Sequence, residues 1–322
     1  MIDFQAEENF YSKKFHFSYS GFNKLLFAPS VFYKHYILNQ REDKMEQHLI
    51  EGSLLHCLLL EGDKFDDKYV VSPVNLPGDS IKNVVDKVFT WALADGVTDL
   101  SLENNEFYIL EILKEINLYQ SLKTDAQRVE KVVTDASISY YNFLTTKGDK
   151  TVIDEETLNK VKGYAEIVRS NEKITNLLNI GGPFSMSEVP FVMDTQYSFG
   201  LRGFVDNVNI DHANKVIYIN DLKTSGKLLQ DFPETIEYYK YWLQAAVYCK
   251  LVRANYGLSD YKIKFHFIVV DKLTQCYAFE VSTVTLNSWM DRLDEVMKIA
   301  DYHYTNRKYD LPYEYEVGNV IL

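Results

Sequence analysis

Apolar residues recur at three- and four-residue intervals through much of the first 180 positions, and from about Ser185 the pattern changes to alternation. The first spacing buries one face of a helix, the second one face of a strand. Helices are therefore predicted in "SYSGFNKLLFAPSVFYKHYIL" (18–38), with Ser20 as N-cap and a break at Pro29, and in "KMEQHLIEGSLLHCLLLEG" (44–62), closed by Gly62. No proline falls between Pro77 and Pro183, and two further helical runs, 104–122 and 154–178, lie in that interval. Strands are predicted in "MSEVPFVM" (186–193), "QYSFGLRGFVDNVNI" (196–210) and "KVIYINDLKTS" (215–225), with "DHAN" turning between the last two. One amphipathic helix is read over 234–257, ended by Gly257, then strands over 261–271 and 276–282 and a last helix over 285–304. Helices followed by β-β-β-α-β-β-α predict an α/β (α+β) fold, a central mixed sheet flanked by helices with a large helical N-terminal half. The expected division is 1–75, N-terminal helices; 76–180, a helical insertion; and 181–322, the sheet-bearing core, all packed as one globular unit.

Composition adjusts this picture in three places. The chain is 46% hydrophobic and 25% charged, ordinary for a protein with an ample core, but its 24 Tyr and 19 Phe are enough to line a groove as well. A net charge of −12 argues against non-specific coating of nucleic acid, so any nucleic-acid enzyme here needs a local basic path. Cys57, Cys249 and Cys276 are scattered, which excludes a paired disulfide framework and any zinc or iron–sulfur spacing. The segment "MIDFQAEENF" lacks an apolar signal region and no apolar run nears membrane-spanning length, so a cytoplasmic protein without a membrane partner is expected.

Candidate chemistry gathers at the end of "VIYINDLKTSG" (216–226), where Asp221 and Lys223 share a strand face and Leu222 points away. Alone, such a pair is a weak surface ion pair. Glu188 on the first strand, Asp206 on the second, and Gln244 and Tyr248 one turn apart on the following helix could join it, with Gly203 permitting a close backbone approach. His56 sits mid-helix far upstream. Singly, these read as an exposed acid, a bend cap, a polar helix flank and a core histidine. Together they suit phosphodiester hydrolysis. Asp206 and Asp221 can converge on a hard cation such as Mg²⁺, the His56 imidazole broadens the site toward Mn²⁺, and the backbone carbonyl of Leu222 offers a further ligand. Such a cation polarises a phosphoryl oxygen and acidifies water, while Lys223 stabilises developing negative charge.

The ordered set His56, Glu188, "GFVD" (203–206), "DLKT" (221–224) and "QAAVY" (244–248), with "FSYSGFNKLLFAPSVFYKHY" (17–36) before it, resembles the PD-(D/E)xK nucleases in their RecB-like and RecE-like branch, exonuclease VIII-type and often phage-encoded. The resemblance spans about 17–283 and implies a restriction-endonuclease-like core and a Mg²⁺- or Mn²⁺-dependent DNA exonuclease of recombination, repair or phage DNA metabolism, in the bacterial host cytoplasm if phage-encoded. It implies metal ligation by His56, Asp206 and Asp221, a catalytic Lys223, a supporting Glu188, and Gln244 and Tyr248 touching the DNA backbone or bracing the site. Linear, end-bearing DNA is the implied substrate, with a single-strand annealing protein and a ring-shaped homo-oligomer as implied partners. No proline precedes Asp206, and the third-motif acid is Asp rather than Glu. The three scattered cysteines exclude the four-cysteine iron–sulfur cluster of some relatives. Arg202, Lys227 and Lys240 are candidate phosphate contacts, Thr224 a supporting residue, and Tyr239, Tyr241 or Trp242 candidate stacking residues. The alternatives are a non-catalytic DNA-binding or assembly protein on the same fold, and an unrelated phosphoesterase.

Overall fold

The structure, a computed structural model, describes residues 4–41, 46–318 and 320. They form two compact units: 1–61 with 163–322, and 62–162. The second unit therefore begins and ends earlier than the 76–180 read from the proline-free interval. Its ends are tied by short apolar strands the sequence reading passed over, Tyr69–Val71 paired in parallel with Thr151–Ile153. Four helices, Asp79–Ala94, Glu106–Glu115, Asp125–Val132 and Asp135–Lys147, close on a core that includes Val84, Val88, Ile109, Ile112, Val132 and Tyr141. Thr124 and Thr134 cap the last two by accepting backbone N–H groups.

The first unit carries a six-stranded mixed sheet: β1 (His16–Phe17), β2 (Ser185–Asp194), β3 (Gly200–Asp211), β4 (Val216–Thr224), β5 (Lys262–Val270) and β6 (Cys276–Val281). The order is β1-β3-β4-β5-β6, with β2 also paired to β3. The β4–β5 pair is parallel, while β2–β3, β3–β4 and β5–β6 are antiparallel. β1 meets β3 at Gly200 and Leu201, β4 meets it from Asn207 onward, and β2 occupies its other side at both places. One edge of β3 thus stays open between its two neighbours, over residues 202–206. That gap positions the site.

Around the sheet lie α1 (Tyr19–Phe27), α2 (Gln47–Leu60), α3 (Glu172–Leu178), α4 (Phe232–Tyr238), α5 (Tyr241–Tyr256) and α6 (Thr283–Asn306). Helix α5 is sheathed in the core, with Leu243, Ala246, Val247 and Leu251 fully buried. Several boundaries differ from the sequence reading, among them the 104–122 run, whose helix spans only Glu106–Glu115. Ser18, not Ser20, caps α1, its hydroxyl accepting the Gly21 N–H. Gly62 starts a 3-10 turn instead of capping α2 in the left-handed region, and Lys44 and Met45 of that run lie outside the described residues. The 154–178 run divides at Asn171, whose side chain accepts the Ile174 N–H as a new N-cap. The single helix read over 234–257 is two, because Lys240 takes a left-handed φ of 56° between α4 and α5. Pro29 breaks the first helix and Gly257 caps α5 at φ 63°, both as expected. Among the described residues no helix is long and apolar enough to cross a membrane.

Candidate active site

The alternation along β2 and β3 slips where the site is built. Met186 packs on the main core, and so do Val189 and Phe191; across the pair, Val205 and Val208 both do. Strict period two would send residues three apart to opposite faces. The slip occurs at Glu188, which holds a left-handed φ of 50° in mid-strand, opposite Asp206 and between the Ser187–Asn207 and Val189–Val205 pairs. That conformation costs a non-glycine residue about 1–3 kcal/mol, a strain typical of functional sites. One step past the last β3–β4 pair, Asn207 with Asn220, the same register brings Asp206 opposite Asp221. Here the ladder opens, and Asp206 Oδ2 accepts the Leu222 N–H at 2.7 Å in place of a backbone partner.

Helix α2 crosses the end of β4 at Gly52, where a Cβ would lie 3.5 Å from Thr224 Oγ1, and one turn later delivers His56. Its two ring nitrogens face different partners. Nδ1 is 3.2 Å from Glu188 Oε1, whereas Nε2 is 3.1 Å from the Leu222 carbonyl and 3.6 Å from Asp206 Oδ2. A carboxylate only accepts, so Nδ1 carries the hydrogen toward Glu188, the arrangement by which an acid orients a metal-binding imidazole. Burial opposes a charge on His56, but the Asp206 and Glu188 carboxylates outweigh it and raise its pKa to about 9.

Asp221 and Lys223 form the second half of the site. Their side chains meet at 2.5 Å, and Asp221 is wholly buried. Burial pushes the Asp221 carboxyl above its ordinary range in spite of the lysine beside it. Burial opposes the Lys223 charge too, yet Asp221 and Asp206 outweigh it and hold the ammonium protonated. Lys223 Nζ also donates to the Leu222 carbonyl at 3.4 Å and sits 5.0 Å from the Tyr241 ring centre. The surface pair of the bland reading is a buried one.

Behind the site an amide clamp fixes the strands on the α3 side. Asn220 Nδ2 donates to Asn207 Oδ1 at 2.7 Å and to the Leu177 carbonyl at 3.0 Å, and Asn207 Nδ2 donates to the Leu178 carbonyl at 3.0 Å. In front, Gln244 Nε2 donates to the Tyr248 hydroxyl at 2.9 Å, and both side chains are buried. Tyr248 lies against Gly203, where an added Cβ would come within 3.1 Å of its ring, so the glycine lets α5 pack closely on β3. A cleft of about 940 Å³ opens over these residues, lined also by Tyr19, Ser53, Arg202, Phe204, Thr224 and Tyr241.

The structure thus brings His56, Glu188, Asp206, Asp221, Leu222, Lys223, Gln244 and Tyr248 together, with Arg202 and Thr224 on the cleft wall. Lys227 lies outside the cleft lining, 5.9 Å from the Tyr238 ring centre, and Lys240 caps α5. Trp242 is buried under the Arg292 guanidinium, 3.7 Å from its ring centre, and so is withdrawn from stacking. Sequence reasoning missed Asn207, Asn220 and Tyr19; only the repeated asparagines in "DNVNI" and "YIND" hinted at the clamp.

The donors suit a divalent cation. One nitrogen and two carboxylate oxygens, from His56, Glu188 and Asp206, lie within 4.8 Å of one another. Asp221 is buried with the Lys223 ammonium on its Oδ2 and no hydrogen bond to its Oδ1, an expensive arrangement that a cation would relieve. His56 Nε2 lies 3.1 Å from the Leu222 carbonyl oxygen and 3.6 Å from Asp206 Oδ2, close enough for the three atoms to reach one ion with bonds of about 2.0–2.6 Å.

Residues 18–308 match the family described as "PDDEXK-like domain of unknown function (DUF3799)". No curated protein matches the chain in sequence. Among solved structures, a "Putative exonuclease" from Eubacterium rectale aligns over 100% of this chain and 95% of its own, at 13% identity and a TM-score of 0.51. It shares the fold, a central mixed sheet flanked by helices consistent with a restriction-endonuclease-like core. A second, SSO0001, aligns over 56% of this chain and 75% of its own at 11% identity, with a TM-score of 0.25 that bears on nothing further.

Proposed function

Because the chain belongs to the DUF3799 family of PDDEXK-like domains, and with it to the PD-(D/E)xK nuclease superfamily, we propose that it is a Mg²⁺- or Mn²⁺-dependent DNA exonuclease acting at this cleft. The observation that carries the reading is the convergence of His56 Nε2, the Asp206 carboxylate and the Leu222 carbonyl beside the buried Asp221–Lys223 pair. His56, Asp206, Asp221 and the Leu222 carbonyl would hold the cation, with Glu188 fixing the imidazole. Bound there, a divalent cation supplies Lewis-acid polarisation of the phosphoryl oxygen and acidifies water. Lys223 is placed to neutralise charge on the phosphoryl oxygens as water's oxygen bonds to phosphorus and the P–O ester bond breaks. The proton lost by the water passes to solvent and the leaving oxygen takes one back. Tyr241 covers the ammonium from the cleft side, and Arg202 is available to a neighbouring phosphate.

The assay is purified protein with linear and closed circular DNA, with Mg²⁺ or Mn²⁺ and with EDTA. Metal-dependent loss of linear DNA alone supports an exonuclease; cutting of circles makes it an endonuclease; no hydrolysis of either rejects the reading. Recombination or repair, including that of phage DNA, is the setting such an activity fits, and a single-strand annealing partner and a ring-shaped oligomer belong to the same proposal.

Proton competition gives a second prediction. His56 carries its extra proton up to about pH 9, and the Nε2 proton must leave before a cation can bind. Mn²⁺ affinity is therefore expected to rise about tenfold per pH unit between neutrality and pH 8.5, with about one proton released per ion. Calorimetry in buffers of different ionisation enthalpy reads both quantities; a pH-independent affinity contradicts His56 as a ligand.

A further inference from the structure

We propose that a run of three tyrosines leading out of the cleft, Tyr241, Tyr239 and Tyr238, is a stacking track for an unpaired DNA strand. The run begins at Lys223, whose ammonium lies 5.0 Å from the Tyr241 ring centre. Tyr241 and Tyr239 are stacked, centres 5.5 Å apart and planes 26° apart; Tyr239 and Tyr238 meet edge to face at 4.8 Å. Lys227 closes it, 5.9 Å from the Tyr238 ring centre. Exposure grows outward: Tyr241 is half-buried and lines the cleft, Tyr239 is 46% exposed and Tyr238 is 74% exposed.

A continuous helix would fan residues 238, 239 and 241 around its axis at about 100° per residue. The break at Lys240 prevents this, and the Tyr19 hydroxyl, donating to the Tyr239 carbonyl at 2.5 Å, pins the break from α1. The helix interruption thus has a use. Across the cleft, Phe204 is 64% exposed, a large apolar surface facing the same opening.

Two arguments make the occupant one strand rather than a duplex. Only unpaired bases offer free faces to tyrosine rings, and each stacked base is worth roughly 5- to 150-fold in affinity. Cations are also too few to grip a duplex by its phosphates: on a chain of net charge −12, this path carries Lys223, Arg202 and Lys227. The 940 Å³ cleft lies within the ~300–1,000 Å³ range of compact ligand sites, room for a few nucleotides of one strand.

This inference rests on the nuclease reading, and its test separates the two. Full-length protein in EDTA is titrated by fluorescence anisotropy with dye-labelled oligothymidylate of about 20 nucleotides, with a duplex of that length and with oligouridylate. Oligothymidylate is expected to bind most tightly, with a log–log salt slope near −2, as three phosphates neutralised at about 0.7 each require. The double substitution Tyr238→Ala, Tyr239→Ala is expected to weaken it at least about tenfold, while Phe at both positions restores it. Tyr315→Ala, an exposed tyrosine outside the cleft lining, serves as control and is expected to bind as the parent does. Unchanged binding by the double variant, tighter binding of duplex, or preference for oligouridylate overturns the track. Mn²⁺-dependent hydrolysis by the unsubstituted protein is read in parallel. Hydrolysis with unchanged variant binding rejects the track and keeps the nuclease; the expected binding without hydrolysis does the reverse.

Discussion

Asp206→Asn is expected to cut DNA hydrolysis at least about a thousandfold while leaving the fold intact. Asp206 does two jobs that the substitution separates. Its Oδ2 accepts the Leu222 N–H at 2.7 Å, which the amide oxygen of asparagine can also do, so the opening between β3 and β4 keeps its geometry. Its charge faces His56 Nε2 at 3.6 Å and is one source of the high pKa of that ring. Without it the cation loses an anionic ligand and the transition state loses a fixed countercharge. The expected signature is a melting temperature near that of the parent with Mn²⁺ binding and hydrolysis both lost; retained hydrolysis would remove Asp206 from the site.

Lys223→Met is expected to lower hydrolysis by roughly a hundred- to a thousandfold, the usual loss when one preorganised electrostatic group is removed. It should behave differently toward metal. Methionine fills much the same space between Asp221 and Tyr241 without the charge. A cation then meets Asp221 with no competing ammonium 2.5 Å away, so Mn²⁺ affinity should stay equal or rise as catalysis falls. Parallel loss of metal binding would mean that Lys223 holds the pocket together rather than acting on substrate.

The sequence carried the strand order, the helices around it and the D-x-K pair, because each is a local signal: period two, period 3.6 and a two-residue spacing. It carried less of how they meet. The left-handed turn at Glu188 reverses the inside–outside alternation of β2 and β3, and nothing in "SEVPF" announces it, since no glycine stands there. Strict alternation alone would therefore not carry both Val205 and Val208 to the main core, as the structure does. The Asn207–Asn220 clamp depends on carbonyls of α3 that lie 29 and 43 residues away in the chain. Lys240 breaks a helix whose apolar spacing runs on unbroken, a tertiary choice held by Tyr19 from over two hundred residues upstream. His56 was legible as the first member of the ordered motif set; its return to β4 is a property of the fold.

The central claim is that a divalent cation sits between His56, Asp206 and the end of β4. Anomalous diffraction from crystals of the protein grown with Mn²⁺ tests it most directly. The account predicts a manganese peak within about 2.0–2.6 Å of His56 Nε2, an Asp206 oxygen and the Leu222 carbonyl, with Glu188 still on Nδ1. A peak elsewhere, or none with His56 Nε2 still resting on the Leu222 carbonyl, would contradict it.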